Sequence, residues 1–370
     1  MKKNLHTKMK CFYFIIFLVF CGNFLTAKEA SDINAGVWRG FYVGTAPLFE
    51  LKNGDFSETT CRTATKTKYT EILWKEELNC RVGAKIEAGW WFIGLETNAL
   101  FGIPKSCGKM SENWWTAAFD PNFHLADFEC DTKLISDFEI DSRLKFDIPF
   151  FKVVRFRPYA GFSYNILNLK ASDASGKSGR TSSKTSADSD EALSYKVSGE
   201  RVDYKRETLD FYLGLQAGVV LFDRLTILGD FNASPVFYLN TIDHHYADKT
   251  ASPSVTESYT LNRFHTNFPK MTFGGCLEYR IWKELSAGAS FYYTIIKSVT
   301  GEEYTSSSGS NYKDHNGFNA ETSQSYWKAS VYAKYRFKIG NAITPRARPE
   351  HEKKEKAPKV RNGKVKVKVY

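Results

Sequence analysis

Along most of the chain, short segments set apolar side chains against polar or small ones at every second position. Phe162, Tyr164 and Ile166 alternate with Ser163 and Asn165. Leu225, Ile227, Phe231 and Ala233 alternate with Thr226, Asp230, Asn232 and Ser234, and Val331, Ala333, Tyr335 and Phe337 with Tyr332, Lys334 and Arg336. A period of two places each set on one face of a strand. The pattern predicts strands over 38–52, 68–81, 85–103, 132–149, 156–170, 206–222, 225–243, 266–282, 285–299 and 325–338, ten in all. Short connections at Glu87-Ala-Gly, Phe222-Asp-Arg and Trp282-Lys-Glu alternate with long polar ones at 53–67, 104–131, 171–205, 244–265 and 300–324. The loop 171–205, rich in Ser, Lys and Asp, is expected to be mobile.

An even strand count with alternating short and long connections is how outer-membrane barrels are built, with short periplasmic turns and long extracellular loops. The expected fold class is therefore all-β, a ten-stranded antiparallel transmembrane β-barrel of the outer-membrane type over 28–337. A soluble sandwich of similar strands is the competing architecture. Composition favours the membrane: aromatics make up 15% of residues, with 20 Tyr and 29 Phe. The N-terminus adds an export signal, with a basic stretch Met1–Lys10, an apolar run Cys11–Leu25 and a cleavage position at Ala27. That run is short for a spanning helix, and bulky Phe20 before Cys21 disfavours a lipoprotein. Residues 1–27 are expected to be a signal peptide and the protein to reside in the outer membrane.

The formal net charge of +10 sits at the ends. Residues 1–27 carry +4 and residues 338–370 carry +8, which leaves −2 on 28–337. A nucleic-acid partner is excluded on that distribution. Residues 338–370, with Pro345, Pro349 and Pro358 among dense charge, are expected to be a disordered basic tail. Five cysteines remain after cleavage, without zinc spacing. Cys107 and Cys130 bracket one expected loop and are candidates for a disulfide.

Chemistry concentrates at Asn240-Thr-Ile-Asp-His-His-Tyr246. A histidine titrates near neutrality and can take a proton from water. An aspartate two residues earlier on a strand shares its face and can orient the ring. The plainer reading is a polar loop start. A metal site using His244, His245, Asp248 or His265 needs further ligands that the spacing does not supply. Trp90, Trp91, Trp114 and Trp115 fit an aromatic girdle as readily as a substrate-stacking surface. Strict alternation from Leu225 turns residues 243 and 245 outward. A lumen-facing site needs a bulge, for which Pro235 is the natural position, or a strand that rises past the lipid.

Four stretches in order, Leu73-Trp74-Lys75, Gly108-Lys-Met110-Ser-Glu112-Asn-Trp114-Trp115, Asp243-His244-His245-Tyr246 and Lys334-Tyr-Arg-Phe337, resemble the omptins, outer-membrane endopeptidases on ten-stranded barrels. The resemblance covers residues 38–337. It implies a dyad of Asp243 and His245, with Glu112 as the first acid of a pair on the opposite wall that positions the water. The second acid falls on Trp114. Of two pocket acids that bind a basic side chain in the family, one falls on Thr241 and the other matches Glu50 loosely. The segment Phe162–Ile166 lacks the family's acid and Arg for lipopolysaccharide, so dependence on that lipid is not expected. The implied partners are exposed peptide or protein substrates and outer-membrane lipid, with no cofactor and no metal. The alternative function is a non-catalytic barrel, an adhesin or surface antigen. A diffusion porin fits less well, because ten strands leave little lumen once side chains fill it.

Overall fold

The computed structural model describes residues 41–339 apart from 91, 117–122, 150–152, 181–183, 223, 248–255 and 283. The expected signal peptide and the tail from residue 340 lie outside the described residues, as do Trp91 and Asp248. Thirteen strands are described: β1 (Phe41–Arg62), β2 (Lys68–Trp90), β3 (Ile93–Gly102), β4 (Lys105–Thr116), β5 (Phe123–Phe146), β6 (Ile148–Pro149), β7 (Val154–Ser178), β8 (Leu193–Leu221), β9 (Leu225–His245), β10 (Ser258–Thr266), β11 (Lys270–Arg280), β12 (Leu285–Ser306) and β13 (Lys313–Ile339). All pair antiparallel. β3 and β4 lie end to end between β2 and β5, and β10 and β11 lie end to end between β9 and β12. β6 extends β5 against β7. The strands thus make ten staves, and β1 closes the ring by pairing with both β2 and β13.

Polarity across the wall is inverted relative to a soluble protein. On β9, Asp230, Asn232 and Ser234 point into the lumen, while Ile227 and Phe231 are 37% and 43% exposed on the outside. Phe49, Val82, Phe101, Phe162, Leu213, Phe273, Phe291 and Val331 continue that outer apolar band around the ring. Lipid tails are the solvent that such a band requires, and a closed barrel satisfies every backbone group inside it. No helix is long and apolar enough to cross a membrane. On the far side from the short turns, the outer face carries Lys75, Glu77, Lys109, Glu129 and Lys133, so those strand ends stand clear of the lipid.

Strand lengths depart from the sequence pattern. Stretches expected as long polar loops at 53–67, 104–131, 171–205 and 300–324 are largely strand, and the supposed mobile loop 171–205 is paired up to Ser178 and again from Leu193. Above the lipid both faces of a strand are wet or lumen-facing, so alternation fades while ladder hydrogen bonds persist. The expected turn at Glu87-Ala-Gly lies inside β2, and the chain turns after Trp90 instead. Turns at Phe222 and Trp282 fall where expected.

The mid-lumen is filled. Arg81, fully buried, meets Glu50 at 2.9 Å, Glu139 at 3.0 Å and Asp137 at 3.3 Å, and Lys52 meets Glu76 at 3.1 Å. Above them the rings of Phe56, Trp74 and Tyr204 stack, with centroids 4.8–6.0 Å apart. These layers make the floor on which the rim site stands.

Candidate active site

The site is aimed by a bulge in β9. Phe211 pairs with Val236 and Leu213 with Ala233, so Ser234 and Pro235 both face the single residue Tyr212. Below this point Leu228, Asp230, Asn232 and Ser234 are the buried set, and above it Phe237, Leu239, Thr241 and Asp243 are. Pro235 has no amide hydrogen to lose from the ladder, which is why the extra residue is accommodated there. The change of phase turns Asp243 and His245 into the lumen. β4 carries a matching device. Gly108 has φ +109°, and a Cβ there would sit 2.1 Å from the carbonyl oxygen of Lys75. After this kink Met110 and Glu112 are buried inside the barrel, with Glu112 opposite Ile72 and Phe128.

His245 lies between two carboxylates. Its Nε2 is 2.9 Å from Glu112 Oε2, and its Nδ1 is 3.4 Å from Asp243 Oδ1. The other Glu112 oxygen, Oε1, accepts the indole N–H of Trp114 at 2.5 Å. Asp243 Oδ1 is buried and accepts no hydrogen bond, and the charged group beside it is the imidazole. Burial pushes the Asp243 carboxyl up, His245 pulls it down, and Glu112, Glu58 and Glu303 push it up again, to about 7. For His245 burial favours the neutral ring, but Asp243 and Glu112 outweigh it and raise the imidazole to about 10. At neutral pH the resting ring is an imidazolium held between Glu112 and Asp243, the latter near half-protonation.

The three expected catalytic residues are thus brought together from β4 and β9. Trp114 stands beside Glu112 as a hydrogen-bond donor and is not part of a girdle. Thr241 also faces inward, where its hydroxyl donates to Glu58 Oε2 at 2.9 Å. Glu58 further accepts from Asn262 Nδ2 at 3.1 Å and from the Tyr204 hydroxyl, and Arg206 Nη1 lies 3.6 Å away. Burial raises its carboxyl, against the pull of Arg206 and these donors. Glu50, expected beside Thr241, is elsewhere. It sits on Arg81 at the level of the apolar band, eight residues down β1 from Glu58, or about 26 Å at the rise of an extended strand. A rim pocket has no use for a side chain at that depth. Glu58 escaped sequence reasoning because it lies in a stretch read as loop.

Glu303 escaped for the same reason. It is buried, accepts from Thr60 Oγ1 at 2.6 Å and pairs with His315 Nδ1 at 2.6 Å. His244 points outward, stacked on Tyr259 with centroids 4.0 Å apart and 3.0 Å from Glu257. His265 stacks on Tyr238. The histidines weighed as a joint metal site therefore diverge, and among the described residues no three His, Cys, Asp or Glu side chains are grouped to hold an ion. Cys107 and Cys130 are strand residues on β4 and β5, and both are free, buried thiols, so the disulfide expected across a loop is not formed.

No family model and no curated protein matches the sequence. Solved structures do match the fold. The outer membrane protease OmpT from Escherichia coli superposes with a TM-score of 0.68 at 15% identity, over 83% of this chain and 100% of that one. The outer membrane protein OprG from Pseudomonas aeruginosa (TM-score 0.35, 9% identity, 82% of this chain and 99% of that one) and the translocator domain of the autotransporter NalP from Neisseria meningitidis (0.30, 10%, 87% and 96%) superpose far more loosely. The chain is an outer-membrane β-barrel with an omptin-like fold.

Proposed function

We propose that the rim site hydrolyses peptide bonds of polypeptides exposed at the cell surface, by an activated water and without a covalent intermediate. The observation that carries this reading is the placement of His245 between Asp243 and Glu112 at the lumen-facing mouth. Substrate and water enter by displacing Glu112 Oε2 from His245 Nε2, which takes one carboxylate off the imidazolium, and the ring releases its Nε2 proton to solvent. Glu112 then holds the water by one oxygen. His245 Nε2 takes a proton from the water as the new hydroxide attacks the scissile carbonyl carbon. Asp243 stabilises the imidazolium that forms. The same proton passes to the leaving amine as the C–N bond breaks, giving a carboxylic acid and an amine. On this reading Trp114 borders the substrate groove, and Thr241, fully buried against Glu58, lies in its floor.

The test is cleavage of a randomised peptide library by refolded protein, with His245→Ala as control. Cleavage by the wild type that the variant loses supports the reading. Equal, absent cleavage by two well-folded proteins sinks it. One observation favours a second reading, a non-catalytic surface barrel: Glu112 closes directly on His245, and an indole occupies the place of the second acid. An uncut library from folded wild type is the result that this second reading expects.

A further inference from the structure

Below the filled mid-lumen lies a second feature, a cavity of about 720 Å³ that reaches the short turns at the opposite end of the barrel. Arg81, Asp137, Lys52 and Glu76 stand between it and the rim site. Its described lining holds eleven Lys or Arg against seven Asp or Glu. Each of the seven carboxylates is already within 2.5–2.9 Å of a cation. No acid of the lining is left over, and of the cations in excess Lys270 is met from outside the lining by Asp210 at 2.8 Å.

Two guanidiniums of that excess stand at the mouth. Arg155 projects from β7 on the same face as Arg157, and Arg224 stands in the turn between β8 and β9. Among the described residues neither has an acidic partner, whereas Arg157 is held by Asp147 at 2.8 Å. Arg155 Nη1 is buried and makes no hydrogen bond. A surplus of like charge inside a lipid-surrounded wall is costly unless a counter-charge enters. Among the described residues, no lining acid is left over to provide one. β13 ends at this same mouth with Ile339, and the sequence 338–370 carries eleven Lys or Arg against three Glu. A negative occupant from outside the chain would meet that surplus. The planar fork of arginine matches the paired oxygens of phosphate and carboxylate groups. The cavity has the volume of a small-molecule site.

We propose that the periplasmic mouth of the barrel binds a small multivalent anion, with phosphate or carboxylate groups held by Arg155 and Arg224. The site is separate from the rim and does not depend on peptide cleavage there. The test is calorimetric titration of the full chain in neutral detergent with inorganic pyrophosphate and, separately, citrate. One saturable site is expected for at least one probe, and the stronger probe tells phosphate from carboxylate. Arg155→Ala with Arg224→Ala should weaken it at least about tenfold, Arg155→Lys with Arg224→Lys should keep part of it, and His245→Ala should leave it unchanged. Thermal melts of each variant show that it is folded. Failure of both probes to saturate overturns the proposal. So does binding that survives the double alanine variant, since the charge of the tail would then be its source.

Discussion

Trp114 Nε1 lies 2.5 Å from Glu112 Oε1, so the indole fixes the carboxylate whose other oxygen touches His245. An acid at position 114 would repel Glu112, whereas the indole N–H orients it. Trp114→Phe keeps the ring and removes the donor. Glu112 then turns without restraint, and water is placed less often. Loss of one oriented hydrogen bond to a charged group is worth about 1.5–3 kcal/mol, so kcat should fall about 10- to 100-fold with KM less affected. Steady-state kinetics on the best library peptide checks this, and an unchanged kcat would mean that Trp114 only fills space.

The imidazolium clamp sets a pH dependence. His245 is raised to about 10 from an ordinary value near 6.5. Folding therefore takes up a proton there, and the resulting stabilisation is complete below pH 6.5 and lost as pH rises through 10. Asp243, raised from 3.8 to about 7, also takes up a proton on folding, and its contribution is complete below about pH 4 and lost as pH rises through 7. The unfolding midpoint should decline from about pH 4 to 10, with the His245 part of the fall lying above 6.5. Cleavage needs the neutral ring, so kcat/KM should climb over the His245 part of that range. Glu112→Gln removes one of the two carboxylates, and the rising limb should move to lower pH by about one to three pH units. A limb at the same pH in wild type and variant would show that Glu112 does not govern the ring.

Under the site, Arg206 and Glu58 form a buried pair 3.6 Å apart, and the guanidinium lies 4.7 Å from the centre of the Phe56 ring. Arg206→Ala leaves Glu58 buried with only neutral donors, at a cost of about 3–5 kcal/mol. Glu58→Gln keeps an acceptor for Thr241, Asn262 and Tyr204 and should cost less than half of that. Urea unfolding of the two variants in lipid vesicles compares them, and equal losses would show that the charge on Glu58 does not matter. Arg206→Ala should also widen acceptance of basic side chains next to the cut, since Glu58 is then free to meet them.

What was legible in the sequence follows from where the solvent changes across the wall. Within the lipid band, polar lumen and apolar exterior force a period of two, so Ile227, Phe231 and Val331 announced their face. Above the band the contrast fades, and Glu58 and Glu303 were hidden in stretches that read as loop. Asp243 and His245 stood out as residue types that are costly in a membrane wall, but their roles, and Glu112 with them, came only from the resemblance to the omptins. Glu50 was misplaced because sequence separation along β1 does not report depth in the barrel. Position 114 read as a missing acid, and only coordinates show the indole N–H on Glu112.

The bulge gives the sharpest test of how the site is aimed. Ser234 and Pro235 together oppose Tyr212, and the residues flanking them pair in register with β8. Deleting Pro235 therefore removes the extra residue and restores one-to-one pairing. Ser234 stays inward, Val236 outward and Phe237 inward, and every inward residue above keeps its face. Deleting Asn240, which is exposed and lies above the bulge, does the opposite. Beyond the deletion Thr241, Asp243 and His245 turn outward, and Ile242 and His244 turn in, because a slip of one residue exchanges the two faces. The two deletions remove one residue each from the same strand, yet their effects should diverge. Without Pro235 cleavage should persist within about tenfold, since only the local twist of a bulge is lost. Without Asn240 it should fall as far as in His245→Ala, about 100- to 10,000-fold for a general base. Activity surviving the loss of Asn240 while vanishing with Pro235 would mean that the bulge, and not the alternation above it, holds the site together.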